Sequence, residues 1–193
     1  MLDKSLPYFG LYFRREAGTP PIACPLPDGY NFVFFCDGDE TSWARVETSV
    51  LEFDSEFAAL MYFKERFMPY VDDLRLRCLF IENSDGEKIA TSTAWWGFTN
   101  GQRRPWLHWV AVDPRYQGQG LGKAIIARAV ERMIELDGDV DFFLHTQTWS
   151  HRAIGIYMMN GFKPTREKAL YTEKQDNCRK ALKILSKSGK LHV

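Results

Sequence analysis

Cysteine is sparse in this sequence, and its placement excludes two kinds of site. The four cysteines, Cys24, Cys36, Cys78 and Cys178, lie far apart, with no Cys-x-x-Cys pair and no histidine at metal-ligand spacing. Zinc sites and disulfide frameworks both need closely spaced or patterned cysteines. The sequence therefore predicts reduced thiols and no metal site.

Long apolar runs are also missing. No stretch approaches the roughly 18 consecutive apolar residues that can span a membrane. Residues 1–10 lack the basic start and the apolar centre of a secretory signal. We therefore expect a soluble, cytoplasmic protein that does not bind membranes.

An excess of charge of either sign is absent as well. Lys plus Arg and Asp plus Glu both number 25. A protein that binds nucleic acid through its phosphates usually carries a basic excess or a basic stripe. The balanced charge therefore argues against nucleic acid as a partner.

The chain does have enough apolar residues for one substantial core. Its 193 residues are 45% hydrophobic and 15% aromatic, and burial on folding improves with length. We predict a single domain over 1–193, in which 1–29 wraps the surface because of its prolines and 176–193 forms a C-terminal helical tail. Whether the protein forms a homodimer is left open.

The hydrophobic pattern predicts an α/β fold, a mixed sheet flanked by helices. Early strands are joined as hairpins, and later ones alternate with helices. The predicted strands cover 30–35, 77–82, 89–98, 106–112, 142–147 and 169–172, and the predicted helices cover 42–51, 55–67, 121–136, 150–160 and 176–187.

A glycine-rich turn joins the predicted strand 106–112 to the predicted helix 121–136. It contains Gly118, Gly120 and Gly122, followed by Lys123. Glycines leave main-chain N–H groups accessible, and the helix that follows adds free N–H groups and the positive end of its dipole. This arrangement is suited to a diphosphate, although a plain connecting loop is an alternative.

Two other phosphate-binding motifs do not fit this turn. A P-loop needs Lys followed by Ser or Thr, but Lys123 is followed by Ala124. The dinucleotide fingerprint needs Gly-x-Gly-x-x-Gly, and the spacing of Gly118, Gly120 and Gly122 differs from it.

The spacing of Gln117, Gly120 and Gly122 resembles the acetyl-CoA signature of the GNAT acetyltransferases, Gln/Arg-x-x-Gly-x-Gly/Ala. The resemblance implies acetyl-CoA as co-substrate and a primary amine as acceptor. It assigns pyrophosphate binding to the main chain of the turn and contact with the pantetheine arm to the preceding strand. The residues so assigned are Gln117, Gly118, Gly120, Gly122 and Lys123 in the turn, and Val110 and Val112 in the strand.

A second match lies downstream. Ser150, Ala153, Tyr157 and Gly161-Phe162 are similar to the family pattern Asn-x-x-Ala-x-x-x-Tyr-x-x-x-Gly-Phe, with Ser150 in place of Asn. Ser150 is expected to cap a helix and lie at the coenzyme. The resemblance implies that Tyr157 donates a proton to the leaving thiolate, and a phenol with a reference pKa of about 10 is protonated at neutral pH. A core aromatic is the alternative.

The amine must also lose a proton. His108 is the titratable side chain on the strand before the turn, and strand alternation places it on one face with Trp106, Val110 and Val112. It is the candidate base, against the alternatives of an interior structural histidine and of proton transfer through water.

The resemblance also places the acceptor between the first two helices and the sheet. Asp39, Glu40, Trp43 and Glu47 are candidates to receive a cation there, although charged residues of this kind are more often solvated surface. The identity of the amine stays open. A competing function is a catalytically inactive module that binds acyl-CoA as a sensor or scaffold.

Overall fold

The structure, a computed structural model, describes residues 2–167 and 177–190. Within these residues the chain forms seven strands and six α-helices. The strands are β1 (Gly10–Arg15), β2 (Tyr30–Phe34), β3 (Cys78–Asn83), β4 (Lys88–Thr99), β5 (Gln102–Val112), β6 (Phe142–Gln147) and β7 (Lys163–Pro164). The helices are α1 (Glu40–Ser49), α2 (Glu56–Arg66), α3 (Val71–Arg77), α4 (Leu121–Asp137), α5 (His151–Met159) and α6 (Asn177–Lys187).

The strands form one mixed sheet in the order β2-β3-β4-β5-β6-β1-β7. Neighbouring strands are antiparallel except for β5 and β6, which are parallel and are connected through α4. The predicted fold class, an α/β domain with a mixed sheet flanked by helices, is confirmed. No helix in the described part of the chain is both long and apolar enough to cross a bilayer.

Helices cover both faces of the sheet because the strands alternate. In β3, Leu79 and Ile81 pack in a cluster with α4, α5 and α6, whereas Cys78 and Phe80 pack in a second cluster with α1, α2 and α3. Each fully buried Leu, Ile or Phe side chain contributes roughly 1.5–3 kcal/mol of transfer free energy. The predicted apolar stripe of α4 is the centre of the first cluster, with Leu121, Ile125, Ala129 and Met133 all buried.

The prediction that residues 1–29 only wrap the surface is wrong for one stretch. Gly10–Arg15 forms β1, which lies inside the sheet between β6 and β7. Its side chains alternate, so that Leu11 and Phe13 are fully buried. The prolines that suggested an irregular segment lie at 20–27, after this strand, and therefore do not interrupt its hydrogen bonds.

The chain after Pro69 was also predicted incompletely. Met68–Tyr70 forms a 3-10 turn and Val71–Arg77 forms α3, so the following strand begins at Cys78 rather than at Arg77. Proline is tolerated in the first turn of a helix, and Asp72 and Asp73 suit the positive end of the α3 dipole. The strand β7 was not predicted, and the predicted strand 169–172 lies outside the described residues.

A buried arginine joins three elements of this scaffold. Arg77 is 5% exposed and donates to both carboxylate oxygens of Asp137 at the end of α4, at 2.8 and 2.9 Å. It also donates to the carbonyl of Ala94 in β4 at 3.0 Å. Removing one partner of a buried pair leaves the other charge uncompensated, which costs more than the loss of an exposed pair.

We expect Asp137→Ala to lower the free energy of unfolding by about 3 kcal/mol, because the buried Arg77 guanidinium loses its bidentate partner and keeps a single carboxylate partner, Asp73, which accepts from Nε at 3.2 Å. Asp72→Ala is the matched control, since the Asp72 side chain is 94% exposed in its pair with Arg75, and it should cost less than about 1 kcal/mol. Urea unfolding followed by circular dichroism measures both. Equal losses in the two variants would show that Arg77 does not join these elements.

Candidate active site

The parallel strands β5 and β6 pair over a short length and then separate. Their register joins Trp106 to Phe143 and Leu107 to Leu144, and no later pair joins them in the described residues. A cavity of about 430 Å³ lies beside the remaining part of β5. Its wall also includes the glycine turn, the start of α4 and one side of α5.

All eight residues that the sequence assigned to the coenzyme line this cavity. Seven of them lie within residues 110–123, and Ser150 comes from the start of α5, so the meeting of these two segments is a property of the fold. The eight are Val110, Val112, Gln117, Gly118, Gly120, Gly122, Lys123 and Ser150.

A bulge in β5 determines which side chains reach the cavity. Thr91 of β4 is opposite Ala111 and Thr93 is opposite His108, so Trp109 and Val110 share the place opposite Ser92. The backbone accommodates the extra residue at Trp109, whose φ of 51° lies in the left-handed region.

The bulge reverses the alternation of β5, and the predicted common face of four residues is therefore wrong. Trp106 packs on Phe143, and its ring centroid lies 6.1 Å from that of His108. Val110 and Val112 pack on the opposite side of the sheet, against the cluster that contains α4.

The glycine turn presents unpaired amides at the start of α4. Gly118 and Gly120 have φ values of 84° and 86°, and Gly120 is the N-cap of the helix without a side-chain cap. The amides of 118–122 donate to no other group in the described residues. Orphan amides at a helix start and the positive end of its dipole form an anion site.

Polar contacts hold this turn in place. Gln117 donates from Nε2 to the carbonyl of Val112 at 2.8 Å. Asp113 is 3% exposed, accepts from the Arg115 amide at 3.0 Å and pairs with the Arg115 side chain at 2.8 Å. Lys123 is exposed at the rim of the cavity. The turn therefore keeps its shape without using the amides of 118–122.

Ser150 occupies the N-cap position of α5, but its side chain makes no capping hydrogen bond. The expectation that its hydroxyl caps the helix is wrong in that respect. A 3-10 turn, Thr148–Ser150, precedes α5 and gives Ser150 a φ of −92° and a ψ of 28° instead of the extended values of a capping residue. Ser150 faces the cavity.

Tyr157 is buried in α5 and is not among the residues that line the cavity. It is 7% exposed in α5, and its ring centroid lies 6.4 Å from that of Phe162. Burial raises the pKa of the Tyr157 phenol above its usual value, and the carboxyl groups of Glu47 and Glu52 raise it further. The phenol has no hydrogen-bond partner among the described residues and is protonated at neutral pH.

His108 lies in β5 at the bulge, apart from the residues that line the cavity. Burial lowers the pKa of His108 to about 4, and His145 lowers it as well. The imidazole is therefore neutral at pH 7.

The four acceptor candidates on α1 and before it have different surroundings. Asp39 pairs with Lys88 at 3.1 Å, and Glu40 accepts from the amide of Gly38 at 2.9 Å. Trp43 is fully buried and Glu47 is 1% exposed. Solvated surface is therefore wrong for Trp43 and Glu47.

Some cavity residues were not indicated by the sequence. Leu2, Val50, Glu52 and Arg152 also line it. Arg152 lies two positions after Ser150 in the second signature, so its proximity was a usable signal. Leu2, Val50 and Glu52 come from distant parts of the chain, and no spacing in the sequence links them to the turn.

Comparison with known proteins finds a distant relative by sequence. A mycothiol acetyltransferase of Beutenbergia cavernae is 24% identical over 161 residues, which are 78% of this chain and 50% of that protein. The chain thus spans about half the length of this relative.

Two solved structures show the same fold at low identity. A GCN5-related N-acetyltransferase from Sphaerobacter thermophilus is 19% identical with a TM-score of 0.64, covering 82% of this chain and 49% of that one. Another from Ralstonia eutropha JMP134 is 19% identical with a TM-score of 0.58, covering 72% and 95%.

The sequence profile described as the Acetyltransferase (GNAT) family matches residues 42–162, which is more than half of the chain and includes most of α1, the glycine turn and α5. The resemblance stated from the two motifs is confirmed, and the chain belongs to the GNAT acetyltransferase family.

Proposed function

We propose that this protein moves an acetyl group from acetyl-CoA to a primary amine by direct attack in a ternary complex. The observation that carries the proposal is the cavity at the end of β5. All eight assigned residues line it, and its glycine turn has unpaired amides at 118–122. Acetyl-CoA supplies an activated acyl thioester. The family of the chain and its likeness to a mycothiol acetyltransferase support acetyl transfer.

The residues present fit the charge and the shape of coenzyme A. Five unpaired amides and the rim cation Lys123 match a pyrophosphate, because backbone N–H groups and a helix N-terminus favour anions. Val110 and Val112 offer an apolar wall and strand backbone to the pantetheine arm. Ser150 adds a hydroxyl that no capping bond occupies.

Tyr157 is the proposed proton donor for the departing thiolate. Its phenol is protonated at neutral pH, and it makes no hydrogen bond to the residues that the structure describes. A positioned acid of this kind typically contributes 10²–10⁴-fold to a rate.

A non-catalytic module that binds acyl-CoA is the second candidate. Tyr157 is 7% exposed and does not line the cavity. The residues that line the cavity therefore do not include the proposed proton donor. Turnover of acetyl-CoA with a panel of primary amines separates the two functions.

Gly120→Val should abolish the micromolar binding of acetyl-CoA that we expect of the wild type. The glycine has a φ of 86° and open space where a Cβ would be, so valine both strains the turn and covers the amides. Gly138→Val is the matched control, because Gly138 has a φ of 80° and equal space at the other end of α4. Calorimetry that shows equal binding by the wild type and both variants would contradict the assignment.

Tyr157→Phe should lower kcat by about 10²-fold, since the thiolate loses its donor. The dissociation constant for acetyl-CoA should not change. Thermal stability should not fall, because the phenol has no partner to lose. Steady-state kinetics and a melting curve test this, and an unchanged kcat with chemistry rate-limiting would assign Tyr157 to the core.

His108→Gln tests the candidate base. Transfer of a proton from an ammonium with a pKa of about 10 to an imidazole with a pKa of about 4 has a free-energy cost of about 8 kcal/mol. We therefore expect the variant to keep the kcat/KM profile of the wild type above about pH 5. An ascending limb near pH 6.5 that the variant loses would instead establish His108 as the base.

The same variant should reduce the acid sensitivity of the fold. The folded protein holds the His108 pKa near 4, below the value of 6.5 expected when unfolded, so protons bind the unfolded chain first. Wild-type stability should fall between pH 6.5 and 4, and that loss should be smaller in His108→Gln. Melting curves across this range measure it, and parallel losses would contradict the lowered pKa.

A further inference from the structure

We propose that Leu2 limits the length of the acyl group on the coenzyme, so that the protein accepts acetyl-CoA and excludes butyryl-CoA and longer thioesters. This inference rests on the proposed acetyl transfer, because it concerns the acyl end of the same coenzyme. It gives a role in specificity to the segment 2–9, which none of the sequence motifs includes.

The first observation is the path of the segment 2–9, which crosses the gap between β5 and β6. On one side, the Leu2 amide donates to the carbonyl of Val50, after the end of α1, at 3.3 Å. On the other side, the Asp3 amide donates to the carbonyl of Trp149, which follows β6 and precedes α5, at 2.9 Å. The segment therefore connects the two edges of the gap.

Further contacts hold the segment on the start of α5. Trp149 donates from Nε1 to the carbonyl of Leu6 at 2.7 Å, and its ring centroid lies 5.0 Å from that of Tyr8. The Thr148 amide donates to the carbonyl of Phe9 at 3.1 Å, and the Phe9 amide donates to the Thr148 hydroxyl at 3.1 Å. These contacts fix the backbone of the segment, so that the Leu2 side chain occupies a defined position.

The second observation is the part of the cavity that Leu2 lines. The unpaired amides of 118–122 mark the proposed pyrophosphate end, and an extended pantetheine arm places the acyl group at the opposite end. Leu2 is bonded to Val50, which packs with Ala111 just after the bulge of β5. Among the described residues, no main-chain hydrogen bond joins the segment to the glycine turn. These contacts place Leu2 at the acyl end.

The third observation is the close packing around Leu2. Val50 is 6% exposed and Ala111 is 4% exposed, and both line the cavity. Glu52 lines it too, and its carboxyl accepts from Nε2 of Gln147, at the end of β6, at 3.3 Å. A small acetyl methyl group fits such a wall, whereas added methylenes must displace packed side chains. The Leu2 side chain is therefore suited to set the acyl length.

Leu2→Ala is the test, because it removes three side-chain carbons from this wall, and butyryl exceeds acetyl by two methylene groups. The wild type should bind butyryl-CoA about 10²-fold more weakly than acetyl-CoA, and the variant should bind the two within about threefold of each other. Calorimetry without an acceptor measures these dissociation constants. Every protein carries the same tag ahead of Met1, so that the replacement does not change how the first residue is processed.

Leu6→Ala is the matched control. Leu6 lies in the same segment and loses the same atoms, but it packs against the cluster that contains α4 and does not line the cavity. This variant should keep the wild-type preference for acetyl-CoA.

Leu2→Phe tests the opposite direction. The larger side chain should weaken binding of acetyl-CoA by about tenfold, because the acyl end becomes overpacked. Binding of CoA itself, which carries no acyl group, should not change.

The preference should also appear in turnover with a primary amine. In Leu2→Ala, the ratio of kcat/KM for butyryl-CoA to that for acetyl-CoA should rise by about tenfold or more, while the KM for the amine stays the same.

Each outcome has a distinct meaning. Equal binding of the two thioesters by the wild type, or the same preference in Leu2→Ala and Leu6→Ala, would overturn the inference. A changed amine KM with an unchanged acyl preference would place Leu2 on the acceptor side and would overturn it as well. Proteins that show the expected preference in calorimetry but acetylate no amine would overturn the proposed function alone, because the binding test needs no acceptor.

Discussion

The extra residue in β5 is the constraint on which the site depends. Trp109 and Val110 together face one residue of β4, and beyond this point β5 no longer pairs with β6. The separation leaves a cavity inside a sheet that is otherwise continuous. It also turns Trp109 towards α1 and α2, while Val110 faces α4. One backbone distortion thus forms the proposed coenzyme wall and the proposed acceptor side together.

Two buried charged groups of the scaffold have partners of opposite charge, whereas the buried acid Glu47 on α1 does not have one among the described residues. Arg77 and Asp113 are buried with close partners of opposite charge, which keep α3, α4 and the glycine turn in position. Glu47 is also buried, but its Oε1 has no hydrogen-bond partner in the described part of the chain. Because an unpaired buried acid lowers stability, we interpret the paired groups as the support that allows the fold to keep it.

Patterns within short segments of the sequence predicted the elements that depend on hydrophobic periodicity and on turn residues. The stripe of α4 and the run of β6 have strong periodicity, and their positions were confirmed. The glycine turn was recognised from its spacing and from the resemblance, and its residues do line one cavity. In contrast, β1 was missed because nearby prolines masked a short alternating strand.

Features that arise from tertiary contacts were not predictable in the same way. The bulge has no glycine to mark it, so strand alternation gave the wrong face for Val110 and Val112. The burial of Glu47 depends on how α1 packs on the sheet, and a Glu on a polar-looking helix is usually exposed. The shifted pKa of His108 likewise comes from burial and from His145 in a neighbouring strand.

A crystal structure of the protein with acetyl-CoA tests the central claim most directly. The account predicts pyrophosphate oxygens within hydrogen-bond distance of the amides of 118–122, and the thioester in the gap between β5 and β6, beside the bulge at Trp109 and Val110. A complex with the pyrophosphate elsewhere on the surface, or with the gap between β5 and β6 closed and empty, would contradict it.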